Sequence, residues 1–514
     1  MTFFESLLIL LLAAIVLLQI SRRLSLPYPA LLAAAGVAVA SVPGSPTISF
    51  EPNTALALFM APAIIDAAYD YPLGAARRFR SPLVVLAVFA VVVTAVLVAW
   101  VGWKFMGLPV AAALVLGAIV APPDAAAATA VLSSVSIPRS TLAVLKGESL
   151  FNDATALFLF SAALAVLSQG ALTLGVGLRV AFAIPGGLLL GVACALLLRR
   201  LNRFVKNTLG GNLLQFVTAF LIWIAAEHLE VSAVLCTIAM AMTVARSAEI
   251  TGGTRMRVQS FAVWSAVVFS LNVFAFLLMG LQGRTILART PPDHLKEWLA
   301  FAALVVLVVV VARLAVVLSF NRLTAWWEKS HGRPEPATWR QAIFVGWSGM
   351  RGFVTLATAF ALPPSFPQRD LAVLTAFSVV LATLVLQGLT LAPLIRLLKL
   401  NQDDVVQREL AEARSRLATV ALTALAEQSG PEVEHLRYGY QIQRDATDGD
   451  PSRDRPLKKR RELGLAAILA GREELERLQK DDLVGTETYL LLQEELDWNE
   501  LTLLCDDERR IEES

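Results

Sequence analysis

Apolar stretches of membrane-crossing length recur almost without pause from the first residues to about Leu398, and no single motif limits the chain as tightly as that recurrence. A helix rising about 1.5 Å per residue needs about 20 apolar residues to cross about 30 Å of hydrocarbon. About thirteen runs meet or approach that length, with cores at 4–20, 27–42, 53–70, 82–103, 109–133, 141–168, 171–198, 212–228, 231–246, 258–281, 297–319, 338–362 and 371–398. Lipid offers no partner to a free N–H or C=O, so runs of this kind predict an all-α polytopic membrane protein. Composition agrees: 56% of residues are hydrophobic, mean hydropathy is +0.63, and the 17% that are charged gather between the runs and in the last hundred or so positions. The first run has Glu5 at its start and Arg22 and Arg23 after it, the reverse of a secretory signal, and is predicted to be a retained span.

Basic residues set the topology. Arg22 and Arg23, Arg77, Arg78 and Arg80, Arg139 and Lys146, Arg199 to Lys206, Arg246 to Arg257, Arg322 to Arg340, and Arg396 and Lys399 fall in alternate loops, while the intervening loops hold only Lys104, Arg284, Arg289, Lys296 and Arg369. The positive-inside bias then puts the N-terminus outside and the C-terminal tail in the cytoplasm of a cell with an inner membrane. A net charge of +2 gives no reason to invoke nucleic acid, and three cysteines without ligand spacing support neither a disulfide framework nor a zinc site, so no cofactor is expected.

With six spans on either side of a central seventh, the two halves run in opposite directions, the parity of an inverted repeat. Transporters of that build bind substrate near the midplane, where corresponding helices are interrupted. Span five is interrupted by Ala121-Pro122-Pro123-Asp124, and span twelve by Gly346-Trp347-Ser348-Gly349-Met350-Arg351-Gly352. A turn is predicted at Pro43 to Pro46. Residues 1–400 thus form a membrane domain, and 401–514 a charged, amphipathic helical tail on the cytoplasmic side, read as regulatory or as a solvated appendage.

A charge at the bilayer centre costs about 2.5–3.5 kcal/mol on insertion scales, so each needs a reason. Asp66, Asp124, Glu148, Asp153 and Arg351 are the candidates. Counting along the helices puts Asp153 roughly 18 Å and Asp124 roughly 22 Å into the membrane from opposite faces. Ser149 precedes Asp153 by one helical turn and shares its face. Asn152 points elsewhere and is expected to steady the broken backbone of span five. Pro123 can offer only a carbonyl, beside others freed by the break. Oxygen donors alone suit Na⁺, K⁺ or Li⁺ and not a soft metal. Glu148 reads equally well as an ion ligand or as the partner of Arg351 in a pair joining the two halves.

The runs Gly117 to Ala125, Ile137-Pro138-Arg139 and Leu145 to Thr155, with Trp347 to Gly352 and Leu386-Gln387-Gly388-Leu389-Thr390, resemble the sodium/proton exchanger branch of the cation/proton antiporters across about residues 1–400. The resemblance implies a homodimer of thirteen-helix protomers with crossed, unwound fifth and twelfth spans. It also implies Na⁺ and H⁺ as substrates, with Asp153 carrying ion and proton in turn, Asn152 as its partner, and Ser149 and Asp124 as further ion-site oxygens. Glu148 and Arg351 match a stabilising pair, and an Asn-Asp pair marks one-for-one exchange. Asp66 stands where many relatives have Glu, and Pro123 where some have Thr. Two rival readings are an intramembrane aspartyl protease, which lacks its Gly-x-Gly-Asp motif here, and a channel or cation sensor of the same fold.

Overall fold

The computed structural model describes residues 3–24, 28–40, 52–71, 73–124, 138–169, 174–201, 204–205, 208–251, 254–290, 292–330, 338–400, 405–445, 451–481 and 483–504. Among these every regular element is a helix. The chain divides into two compact units, Met1–Gln402 and Asp403–Glu513. The predicted turn at Pro43 to Pro46 and the second half of span five lie outside the described residues.

In the first unit, α1 (Phe3–Leu24), α2 (Tyr28–Ala40) and α3 (Pro52–Tyr69) precede α4 (Arg80–Met106), which contains a π-turn at Val85–Phe89. The half-helix α5 (Val110–Val120) is followed by α6 (Arg139–Gln169), α7 (Leu174–Leu201), α8 (Leu209–His228), α9 (Ala233–Thr251), α10 (Thr254–Arg289) and α11 (Leu295–Ser330). Span twelve is two pieces, α12 (Trp339–Trp347) and α13 (Phe353–Phe360), and α14 (Arg369–Leu398) closes the unit with a second π-turn at Thr383–Gln387. Among the described residues six helices are long and apolar enough to cross a bilayer, and six shorter apolar helices accompany them. The predicted all-helical, multi-pass membrane protein is therefore what the chain folds into.

Between helices already surrounded by hydrocarbon, hydrophobicity adds little, and close van der Waals packing holds them together. Small residues permit that approach. On α2 a Cβ added to Gly36 would lie 2.6 Å from the Leu277 carbonyl oxygen of α10, and at Gly117 of α5 one would lie 2.1 Å from the Ala95 carbonyl oxygen of α4. Substituting alanine at either position would force two backbones apart. Surface on the outside of the unit is apolar instead: Trp100, Phe182, Leu189 and Phe261 are all exposed, as lipid contact requires.

The second unit contains α15 (Val405–Ala424), α16 (Pro431–Asp445), α17 (Pro451–Lys480) and α18 (Thr486–Leu503), packed as α15 on α16 and α17 on α18. Arg437 reaches back to cap the end of α15, donating to the carbonyls of Leu425 at 2.6 Å, Ala426 at 3.0 Å and Gln428 at 2.9 Å. Arg472 joins α17 to α18 through Asp497 at 2.5 Å and Glu500 at 2.6 Å.

Candidate functional site

Two prolines end α5 early. Helical bonding stops at Ala121, and the carbonyls of its last turn lose the N–H donors a continuous helix would supply. The break in span twelve provides substitutes. Arg351, 1% exposed, donates from Nε to the Val120 carbonyl at 3.2 Å and from a terminal nitrogen to Ala121 at 3.3 Å, and its other terminal nitrogen bonds Gly349. A cation at the C-terminal end of a half-helix also meets the negative end of the helix dipole. The Arg351 N–H donates to Thr383 Oγ1 at 3.0 Å, inside the π-turn of α14. Asp124, just beyond the prolines, donates its N–H to the Met350 carbonyl at 2.6 Å. The two broken spans are thus bonded backbone to backbone where they meet.

Glu148 does not take Arg351 as its partner, contrary to the sequence expectation. Both of its carboxylate oxygens accept from Arg313 of α11, one from Nη1 and the other from Nη2 at 2.9 Å, and Nη2 also donates to the Val345 carbonyl of α12 at 3.1 Å. The physical reason is that the Arg351 side chain is committed to carbonyls, while Arg313 presents a planar fork to the carboxylate. Gly349 makes room for that fork, since a Cβ there would lie 2.2 Å from Arg313 Nε. Sequence reasoning missed Arg313 altogether. The signal was present: a lone guanidinium in the apolar run Val305 to Val317 has the same midmembrane cost that singled out the other five charges.

One turn further along α6 the surroundings change. Asn152 is fully buried and its Nδ2 donates to the Pro123 carbonyl at 2.7 Å, while its Oδ1 is buried without a hydrogen-bond partner. The amide therefore spends its donor on the broken backbone and keeps an oxygen in reserve. Asp153 and Ser149 are half-buried on α6, and Asp124 is half-buried beyond the break, within electrostatic reach of Asp153. Gly352 is required beside it, because a Cβ there would sit 1.5 Å from Asp124 Oδ2. The structure thus gathers Asn152, Pro123, Asp124 and Asp153 where the spans meet, with Ser149 one turn away. Asp66 is half-buried on α3, which packs against α6 and α13 and sets Phe59 against Phe353 in a tilted ring contact at 4.6 Å between centroids. The donors gathered here are carboxylate, amide, hydroxyl and carbonyl oxygens. Oxygen donors of this kind suit a hard, weakly held cation.

Residues 7–397 match the family described as "Sodium/hydrogen exchanger, transmembrane". The chain belongs to that family. The sodium, potassium, lithium and rubidium/H⁺ antiporter of Bacillus pumilus is 26% identical over 93% of this chain and 74% of its own length. An uncharacterised Na⁺/H⁺ exchanger of Mycobacterium tuberculosis is 29% identical over 96% of this chain and 94% of its own. The solved sodium proton antiporter MjNhaP1 of Methanocaldococcus jannaschii shares the fold, with a TM-score of 0.58 at 17% identity over 77% of this chain and 98% of that one. The family resemblance read from the sequence is therefore established, and the family is one of transporters.

Proposed function

We propose that this exchanger moves Na⁺ against H⁺, one for one, through a single carboxylate at Asp153 that holds a proton and a cation in turn. The observation carrying the reading is the contrast along α6: Glu148 is neutralised by a buried arginine, whereas Asp153, five residues on, is half-buried beside neutral oxygen donors and Asp124. A bare carboxylate is costly to carry through apolar surroundings, so the protein changes conformation only with Asp153 neutralised by H⁺ or by the cation. Coupling follows because both compete for the same oxygens. Asn152 supports the site by fixing the Pro123 carbonyl, Ser149 and Asp124 add oxygens, Glu148 and Arg351 hold the helices around the site in place, and Asp66 stands by on α3.

The Bacillus relative's name covers Na⁺, K⁺, Li⁺ and Rb⁺, and K⁺/H⁺ exchange through the same site is the alternative reading. The chain is further proposed to act as a homodimer in the inner membrane, with the N-terminus outside and residues 401–514 as a cytoplasmic regulatory unit. Dissipation of a pH gradient in everted vesicles, with Na⁺, K⁺ and Li⁺ added in turn, tests the function. Saturable cation-driven proton movement, strongest with Na⁺, is expected. A non-saturating current without proton counterflow would mean a channel.

A further inference from the structure

Between α11, α12 and α14 the membrane unit leaves a groove with a cavity of about 490 Å³. Its walls are Leu314 and Leu318 of α11, Ile343 and Trp347 of α12, and Leu394 and Leu397 of α14. The one polar handle of Trp347 is already satisfied, its Nε1 donating to Thr390 Oγ1 at 2.9 Å, so the indole presents only its apolar faces. Leu397 is 78% exposed. A cavity of this chemistry offers water no partners, and a protein in a bilayer has hydrocarbon at hand to fill it.

Two of the walls lead to positive charge. Leu314 and Leu318 continue at the same helical spacing to Arg322, and Trp347 and Ile343 lead back through Arg340, so each stripe ends one turn further on in an exposed arginine at the same end of the groove. Among the described residues neither arginine forms an ion pair. Arg340 lies over the Trp339 ring at 5.6 Å from its centroid. Trp326 and Trp339 are 70% and 59% exposed at those helix ends, and Arg396 and Lys399 are exposed at the neighbouring end of α14. Tryptophans and unpaired cations together mark the headgroup level of a membrane leaflet.

We propose that this groove is a binding site for an anionic phospholipid, one acyl chain lying along Trp347 and the headgroup held between Arg322 and Arg340. The proposed orientation of the exchanger decides only which leaflet supplies the lipid, the inner one. Because Trp347 is the last residue of α12 before the break, the bound chain would pack directly against the segment beside the proposed ion site.

Brominated lipids provide the test, since bromine on an acyl chain quenches a tryptophan it touches. The full chain is reconstituted in phosphatidylcholine vesicles carrying equal small fractions of either dibrominated phosphatidylglycerol or dibrominated phosphatidylcholine. The Trp347 signal is the difference between wild type and Trp347→Phe. Its quenching should be several-fold stronger with phosphatidylglycerol, and Arg322→Gln combined with Arg340→Gln should reduce it to the phosphatidylcholine level. Equal quenching of wild type by both lipids would overturn the proposal as a merely non-selective bilayer contact. Absence of Trp347-dependent quenching by either would overturn it too, since no acyl chain would then reach the groove. Should Trp347→Phe fail to fold, phosphatidylglycerol retained by purified wild type and by the double arginine variant, weighed by native mass spectrometry, decides the same question. Cation-driven proton movement in the same vesicles is scored separately, and its failure would count against the exchange reading, not the lipid site.

Discussion

Glu148 and Asp153 lie five residues apart on one helix, in one membrane, with opposite fates. Glu148 is 1% exposed and gripped at both oxygens by Arg313. Asp153 is half-buried, and the crossing beside it offers oxygens in place of a cation. A place on a membrane helix does not by itself distinguish a structural charge from one proposed to exchange. On the proposed reading the distinction lies in whether a permanent countercharge has been built in, because a paired carboxylate has no reason to bind a passing ion and an unpaired one is left open to do so.

The comparison is broken most severely at the unpaired carboxylate. Asp153→Asn keeps the shape and removes the exchangeable charge, so the variant should insert and fold as wild type does and show no cation-driven proton movement in everted vesicles. Next in size is the built-in pair. Removing one member of a buried pair strands the other and typically costs ~3–5 kcal/mol, so Glu148→Ala and Arg313→Ala should each lower the thermal unfolding midpoint sharply. The double variant should be less damaged than the two losses added, and strict additivity would show that the contact contributes nothing as a pair. Asn152→Ala leaves the Pro123 carbonyl without its donor at a cost of ~1–3 kcal/mol. It should therefore reduce stability moderately, with exchange weakened and not abolished. Smallest of all should be removal of the tail. Truncation after Asn401 deletes none of the oxygens at the crossing, and cation-driven proton movement should stay measurable; a correctly inserted but wholly inactive truncation at every pH would show that the tail does more than regulate.

Much of the fold was legible because membrane burial imposes a length and a polarity on each span, and both are written in the sequence as apolar runs. The interruptions at Pro122-Pro123 and Ser348 to Gly352 were legible for a related reason: proline and glycine announce where helical bonding must fail. Partner identity was harder to read. A charge in mid-helix states that a partner is needed, not which of two arginines on neighbouring spans supplies it, and here Arg351 was already claimed by carbonyls that the prolines had freed. That claim depends on where α5 ends against α12, a tertiary fact without a local signature. Arg313 went unnoticed because its neighbours are uniformly apolar, although that setting is itself the strongest reason to ask what it pairs with. Asn152 was easier, since an amide beside the carboxylate and opposite a proline break has few other things to do.

The central claim is that proton and cation contend for one carboxylate, and the most direct test is the apparent cation affinity of the wild-type exchanger measured across a pH series in vesicles. Competition predicts that the half-saturating Na⁺ concentration rises as pH is lowered, while the maximal rate at saturating Na⁺ and a fixed pH gradient stays comparable. A half-saturating concentration that does not move with pH would contradict the account and require separate sites for the proton and the ion.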